Sequence, residues 1–309
     1  YFAAAVEAEQ EFAQYASEGR EIRVQRLDLD RQAYARLREH LLWNVQPENK
    51  EYLYDYYQDN CSTRVRDALD LALQGVLADQ FKTQPAGQNY RSHTRRSTQS
   101  DRDYYLGLVA GLGMPVDRSI SRWEEQFLPA ALAESMAVAR LATGEPLVIE
   151  DRVLLPGLVA EPPPLPGRTW PFYLAVSLGL LVVAGFVARR GYSRGLARAW
   201  LLVSGTLGFA LLAIWALTDH VMAYPNLNLL LFQPLAVLGV FSRCRRLVAM
   251  LMLLTTTGAL VVASLSEIQY LADTVALAGP LNIALVVWLL RRVPNRQPPG
   301  TGIVDRAAY

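Results

Sequence analysis

Apolar and polar positions are unevenly distributed along the 309 residues. Between 170 and 291 five apolar segments stand out, at 171–188, 199–217, 227–241, 247–265 and 274–290. Membrane-spanning helices need ~20 such residues, so five spans are expected; the third is short and borrows 221–226 to reach that length. Before 169 the spacing is that of a folded domain with water on one side. Tyr34, Leu37, Leu41 and Leu42 recur at helical intervals over 31–44, and Val65, Ala68, Leu69, Ala72 and Leu73 share one face of a helix starting near Cys61. A further helical pattern, 121–142, carries Trp123, Phe127, Ala131, Met136 and Leu141, and Pro129 is expected to kink or split it. Segments 21–29 and 147–155 alternate imperfectly and read as strands, 2–16 reads as a polar helix, and 91–103 is polar enough to read as a loop.

Charge sets the orientation of the apolar half. Arg189, Arg190, Arg194 and Arg198 lie between the first two segments, Arg243, Arg245 and Arg246 between the third and fourth, and Arg291, Arg292 and Arg296 after the fifth. The intervening stretches, 218–226 and 266–273, contain no Lys or Arg. This alternation follows the positive-inside rule, with the arginine loops and C-terminus cytoplasmic and 1–170 outside. A soluble helical core has no reason to alternate in this way. Asn282, mid-segment, is expected to bond between helices.

The expected organisation is an outer α+β domain at 1–160, mostly helical and thin in strands. A Pro-rich linker follows at 161–169, then an all-α membrane domain of five transmembrane helices at 170–292 and a cytoplasmic tail at 293–309. No signal peptide is visible near Tyr1, and 2–16 reads as the middle of a helix, so the natural chain is expected to begin earlier. Net charge is +1, which gives no global field for nucleic acid. By topology Cys61 is outside and Cys244 is cytoplasmic, so the two cysteines cannot pair.

Residues 52–70, YLYDYYQDNCSTRVRDALD, carry the candidate chemistry. Asp59 or Asn60 is suited to cap the helix that follows. Cys61 then sits in its first turn, where the helix dipole and Arg64 favour an anion and free N–H groups can hold an oxyanion. That pattern suits a nucleophilic thiol, although free cysteines are more often buried and inert. His93 is a candidate base or a solvated loop residue, and His40 is a weaker one. No histidine, cysteine or carboxylate spacing suggests a metal site, and the chemistry calls for no cofactor. Tyr52, Tyr54, Tyr56 and Tyr57 read either as an aromatic core edge or as membrane-interface residues. His220, Asn226 and Asn228 lie near an outer helix end, where they line a headgroup site or are ordinary interfacial residues.

Pro47-Glu48-Asn49, Tyr52-Leu53-Tyr54-Asp55-Tyr56 and Asp59-Asn60-Cys61-Ser62-Thr63-Arg64-Val65-Arg66-Asp67 resemble the Lnb N-terminal periplasmic domain family. Weaker agreement extends over Glu18-Gly19-Arg20, 90–96, 113–118 and 123–129, and over His220 with 226–230. The resemblance implies a fold related to the permuted papain-like thiol enzymes and a bacterial inner-membrane protein with a periplasmic N-terminal domain. It also implies Cys61 as nucleophile, with Asp59 and Asn60 orienting the turn. Arg64 then holds the thiolate or a headgroup, or else pairs with Asp67 or Asp70 on the helix surface, and Tyr54 hydrogen-bonds the site. In that arrangement the base is a histidine in a Gly-His pair ahead of the cysteine. None precedes Cys61 here, so the base is expected upstream of Tyr1.

The expected function is a membrane-anchored cysteine-dependent acyltransferase or hydrolase. It would act on a membrane lipid or lipoprotein at the outer face of the inner membrane, through an acyl-enzyme on Cys61. The alternatives are a thiol peptidase or amidase on cell-wall peptide, and a non-catalytic envelope-assembly protein.

Overall fold

The computed structural model describes residues 1–291 apart from 159, 242 and 266. The tail at 293–309, with Arg292 and Arg296, lies outside the described residues. The N-terminal part runs α1 (Ala8–Ser17), β1 (Ile22–Leu27), α2 (Arg31–Asn44), α3 (Cys61–Ala72), α4 (Val76–Phe81), α5 (Tyr90–Thr98), α6 (Arg102–Gly111), α7 (Arg122–Glu125), α8 (Pro129–Val138) and β2 (Val148–Leu155). β1 and β2 pair antiparallel, with Ile22 opposite Leu155 and Leu27 opposite Val148. Apart from isolated bridges they are the whole sheet among the described residues, which falls short of a papain-like sheet.

Two cores hold this part together. Leu69, Leu77, Phe81, Leu132, Met136 and Leu147 join α3, α4 and α8 to the start of β2. Tyr57, Tyr90, Val116, Ile120 and Phe127 form a second, aromatic core, with Tyr57, Tyr90 and Phe127 in mutual ring contact. Pro129 does split the 121–142 pattern: α7 ends at Glu125 and Pro129 opens α8, where its missing N–H costs nothing.

The segment 91–103 is not a loop. It forms most of α5 and the start of α6, capped by Asn89 (accepting from Ser92 N) and Asp101 (accepting from Tyr104 N). Three of its polar residues face inward: Arg91, His93 and Thr94 are buried. Polarity therefore does not mark a solvated segment here, because the charge of Arg91 is neutralised inside the fold. The helix 2–16 begins later than its pattern suggests, at Ala8; the residues before it run extended, Phe2 bridging to Glu51.

The C-terminal part contains four stretches long and apolar enough to cross a membrane: Trp170–Leu217, Val221–Val240, Arg245–Ser264 and Ala272–Leu290. The first has 48 residues, about 72 Å of helix if straight, against a hydrocarbon core of ~30 Å. It is broken at Gly191, whose φ of 95° ends a short π-helical stretch, Ala188–Tyr192. The break leaves α9 (Trp170–Val187) and α10 (Ser193–Leu217), with Arg189, Arg190, Arg194 and Arg198 at or near it. The expected third span is not an α-helix. It consists of 3₁₀ turns at Val221–Ala223, Leu227–Leu230 and Pro234–Val240, since Pro225 and Pro234 interrupt the N–H ladder. α11 (Arg245–Ser264) and α12 (Ala272–Leu290) follow. Gly208 lets α10 approach the backbone there, since a Cβ would collide with Phe232 O and Pro234. Asn282 bonds between helices as expected, accepting from Trp200 Nε1 at 2.9 Å and donating to Leu231 O at 3.0 Å and Thr256 Oγ1 at 3.2 Å.

Candidate active site at Cys61

Cys61 is the first residue of α3, and its position is fixed by the residue before it. The Asn60 side chain accepts from Ser62 N and Thr63 N, both at 2.9 Å, while Thr63 Oγ1 accepts from Asn60 N at 2.8 Å. This is a reciprocal capping box. The Asn60 amide also donates to Tyr56 O at 2.8 Å and Phe127 O at 2.9 Å, which ties the helix start to the aromatic core. Asn60→Ala is expected to destabilise the N-terminal part by about 2–3 kcal/mol, the cap together with two orphaned carbonyls. Thermal unfolding of the full chain, with amide exchange at Ser62 and Thr63, measures this.

The cap narrows what the helix start can do. Of the donors expected to be free, Ser62 N and Thr63 N are taken by Asn60, whereas Cys61 N donates to nothing among the described residues. One backbone N–H, on the same residue as the thiol, is left for an oxyanion.

Cys61 is exposed and lines a cavity of about 360 Å³. The walls are apolar: Leu27 from β1, Val65 and Leu69 from α3, and Pro129, Leu132 and Met136 from α8. Gln25 and Ser62 are the polar exceptions; the Gln25 amide is tied to Ala133 O and Asp151, both at 2.9 Å, and the Ser62 hydroxyl donates to Gln126 O at 2.8 Å. Val65, expected to face the core, is 53 % exposed and stands on the groove rim.

Aromatic and charged residues frame the thiol. Burial first, and then the neighbouring Cys61, push the Tyr52 and Tyr54 phenols above their ordinary range. Tyr54 stacks on Tyr1 at 4.1 Å between centroids. The four tyrosines thus divide: Tyr52 and Tyr54 stand beside Cys61, while Tyr56 and Tyr57 belong to the Phe127 cluster. Arg64 is engaged with neither Asp67 nor Asp70. It forms a bidentate pair with Asp59 (Nε–Oδ1 2.5 Å, Nη2–Oδ2 2.7 Å) and stacks over Tyr52 at 4.1 Å. Asp59 therefore positions Arg64 and leaves the cap to Asn60. Asp67 pairs with Arg66, and Asp70 accepts from Leu77 N and Ala78 N at the start of α4.

The structure does not bring a histidine to the groove. His93 is 2 % exposed on α5; its Nδ1 accepts from Arg96 and its Nε2 lies 3.0 Å from Glu125 Oε1, outside hydrogen-bonding geometry. It neither lines the cavity nor meets solvent. His40 stacks on Trp43 in α2.

The membrane-side residues are also placed differently from expectation. His220 is exposed, but Asn226 and Asn228 are buried and serve as struts. The Asn226 amide donates to Ala110 O at 2.8 Å and Gly111 O at 3.0 Å, and the Asn228 amide to Ala110 O at 3.0 Å. These are the free C-terminal carbonyls of α6, so both asparagines fasten the N-terminal part to the membrane part. Gln269 joins them, accepting from Leu227 N and donating to Asn226 Oδ1 at 3.1 Å. Gly113 N and Met114 N donate to Met222 O and Pro225 O, an approach too close for any Cβ at Gly113. Sequence reasoning missed this junction.

Residues 2–97 match the Lnb N-terminal periplasmic domain, and residues 169–290 match the Lnb transmembrane domain. The chain belongs to the Lnb family. It is a membrane protein with a periplasmic N-terminal domain. Searches of curated proteins and of solved structures gave no match. The first Lnb match includes Cys61 and the α3 wall of the groove; the α8 wall, Pro129 to Met136, lies in the segment between the two matches.

Proposed function

We propose that this Lnb-family protein is a membrane-anchored thiol acyltransferase or hydrolase acting on a lipid or lipoprotein, with Cys61 as nucleophile. The observation that carries this reading is the apolar groove that opens onto an exposed thiol at a capped helix start. The Cys61 thiol attacks the carbonyl carbon of an ester-linked acyl chain. The C–O bond breaks, the alcohol leaves with the thiol proton, and a thioester remains on Cys61. An amine or water then attacks the thioester, releasing an amide or acid and returning a proton to the sulfur. Cys61 N–H faces the developing oxyanion, and the alkyl chain lies between Leu69, Leu132 and Met136. Relation to the permuted papain-like enzymes, residence in the inner membrane, five crossings and cytoplasmic arginine loops belong to the same proposal. The break at Gly191 supports counting α9 and α10 as two crossings, and the arginines beside it support the orientation.

Intact-mass analysis of the full chain incubated with phospholipid or diacylated lipopeptide tests the reading, the expected result being an acyl adduct on Cys61. Ala133→Trp, at the half-buried α8 wall of the groove, is expected to reduce adduct formation from long-chain donors at least about tenfold. A two-carbon thioester is expected to label Cys61 equally in both proteins. A groove used for peptide predicts no dependence on chain length, and an absent adduct with every donor overturns the enzyme reading.

A further inference from the structure

A second cavity, of about 300 Å³, lies apart from Cys61 and shares no lining residue with its groove. Its walls include Arg95 of α5, Gly167 and Arg168 of the linker, Trp170 at the start of α9, Ala263 near the end of α11 and Tyr270 just before α12. Three membrane helices therefore meet the cavity at the ends that adjoin the periplasmic domain. We propose that this pocket binds the phosphate of an anionic phospholipid from the periplasmic leaflet.

Arg95 is held in place before any ligand arrives. Its Nε donates to Tyr105 Oη at 2.9 Å, its Nη2 donates to Gly167 O at 3.0 Å, and the guanidinium lies 3.7 Å above the Tyr270 ring. Its Nη1 has no partner among the described residues. Arg168 is exposed and has no hydrogen bond or ion pair among the described residues. Two carboxylates border this corner and neither lines the cavity: Asp117, which accepts from Tyr270 N, is neutralised by Arg91, and Asp273 is fully buried, accepting from Tyr105 Oη at 2.6 Å and Thr169 Oγ1 at 2.8 Å. Two arginines against one sequestered carboxylate leave one net positive charge, which matches the single charge of a phosphodiester. Guanidinium groups are suited to phosphate oxygens. Trp170, 42 % exposed, and Tyr270 are the residue types found at headgroup depth. Leu260 and Val261, exposed on α11 less than one turn before Ala263, offer apolar surface to the acyl chains.

The test uses the full chain in nanodiscs of mixed phosphatidylglycerol and phosphatidylcholine, with retained lipid read by native mass spectrometry. Arg168→Ala is expected to lower retained phosphatidylglycerol about fivefold and Arg168→Glu further, while Arg168→Lys keeps most of it. Phosphatidylcholine retention stays unchanged. A parallel arm measures radiolabelled inorganic phosphate. Binding there that Arg168→Ala weakens, without an effect on lipid, would overturn the lipid source in favour of free phosphate. No response of either ligand to Arg168→Ala or Arg168→Glu overturns the site. Cys61→Ser is expected to leave retention unchanged, so failure here and failure of the acyl-enzyme reading are separable.

Discussion

Cys61→Ser is expected to eliminate the acyl adduct and to lower acyl transfer about a thousandfold or more, with no loss of thermal stability. The size of the effect follows from chemistry: a serine hydroxyl at the same place is a far weaker nucleophile at neutral pH without an adjacent base. The neighbouring hydroxyls cannot substitute for it. Ser62 Oγ donates to Gln126 O at 2.8 Å, and Thr63 Oγ1 is held in the capping box. Both side chains are buried, and both hydroxyls are committed to these bonds. Stability is spared because Cys61 is exposed and its side chain makes no hydrogen bond among the described residues, and substitutions at such positions stay within about 0.5 kcal/mol. Activity and melting temperature are therefore expected to part company. A scaffold protein predicts that Cys61→Ser changes neither labelling nor phenotype, and that outcome sinks the acyl-enzyme. A drop in melting temperature together with activity would instead make Cys61 a packing residue.

What could be read from the sequence was local, and what could not depends on distant partners. The bounds of α2, the cap at Asn60, the start of α3 and the split at Pro129 all arise within a few residues of the signal. The groove is different. It exists because α3 and α8 face each other with the whole of 73–128 between them in the chain, and each helix alone shows only an ordinary apolar face. Arg64 lies among three nearby carboxylates, and helical spacing favours Asp67, three residues on; the turn before the helix brings Asp59 round instead. Asn226 and Asn228 are polar residues near a membrane boundary, a pattern that fits substrate contact and structural strut equally well. Only the position of the α6 carbonyls distinguishes the two. The 3₁₀ turns of 221–240 were hidden because hydropathy measures burial in lipid and is blind to the missing N–H groups of Pro225 and Pro234.

Asp117→Ala is expected to be the most destabilising single change in the N-terminal part, at about 3–5 kcal/mol, because it strands a buried guanidinium. Arg91 and Asp117 side chains are 2 % and 5 % exposed and meet at 2.8 Å. Arg91 also reaches three carbonyls at the end of α6: Val109 O at 3.1 Å, Leu112 O at 3.1 Å and Gly113 O at 2.9 Å. One cation thereby closes the C-terminus of α6, and its counter-ion accepts from Tyr270 N at 3.2 Å, next to the membrane part. Lysine cannot fill this role: a single ammonium lacks the planar fork that contacts a carboxylate and three carbonyls together. Arg91→Lys is expected to cost about 2 kcal/mol. The double replacement Arg91→Met with Asp117→Leu leaves no unpaired charge and is expected to recover a large part of what Asp117→Ala loses. Its remaining deficit lies at the α6 carbonyls and at Tyr270 N. Amide exchange at Tyr270 therefore separates the two functions of the pair. Faster exchange in Asp117→Ala together with a lower melting temperature shows one ion pair both folding the periplasmic domain and seating it on α12. Unchanged exchange with a lower melting temperature confines the pair to the domain interior, and an unchanged melting temperature removes it from the fold's support altogether.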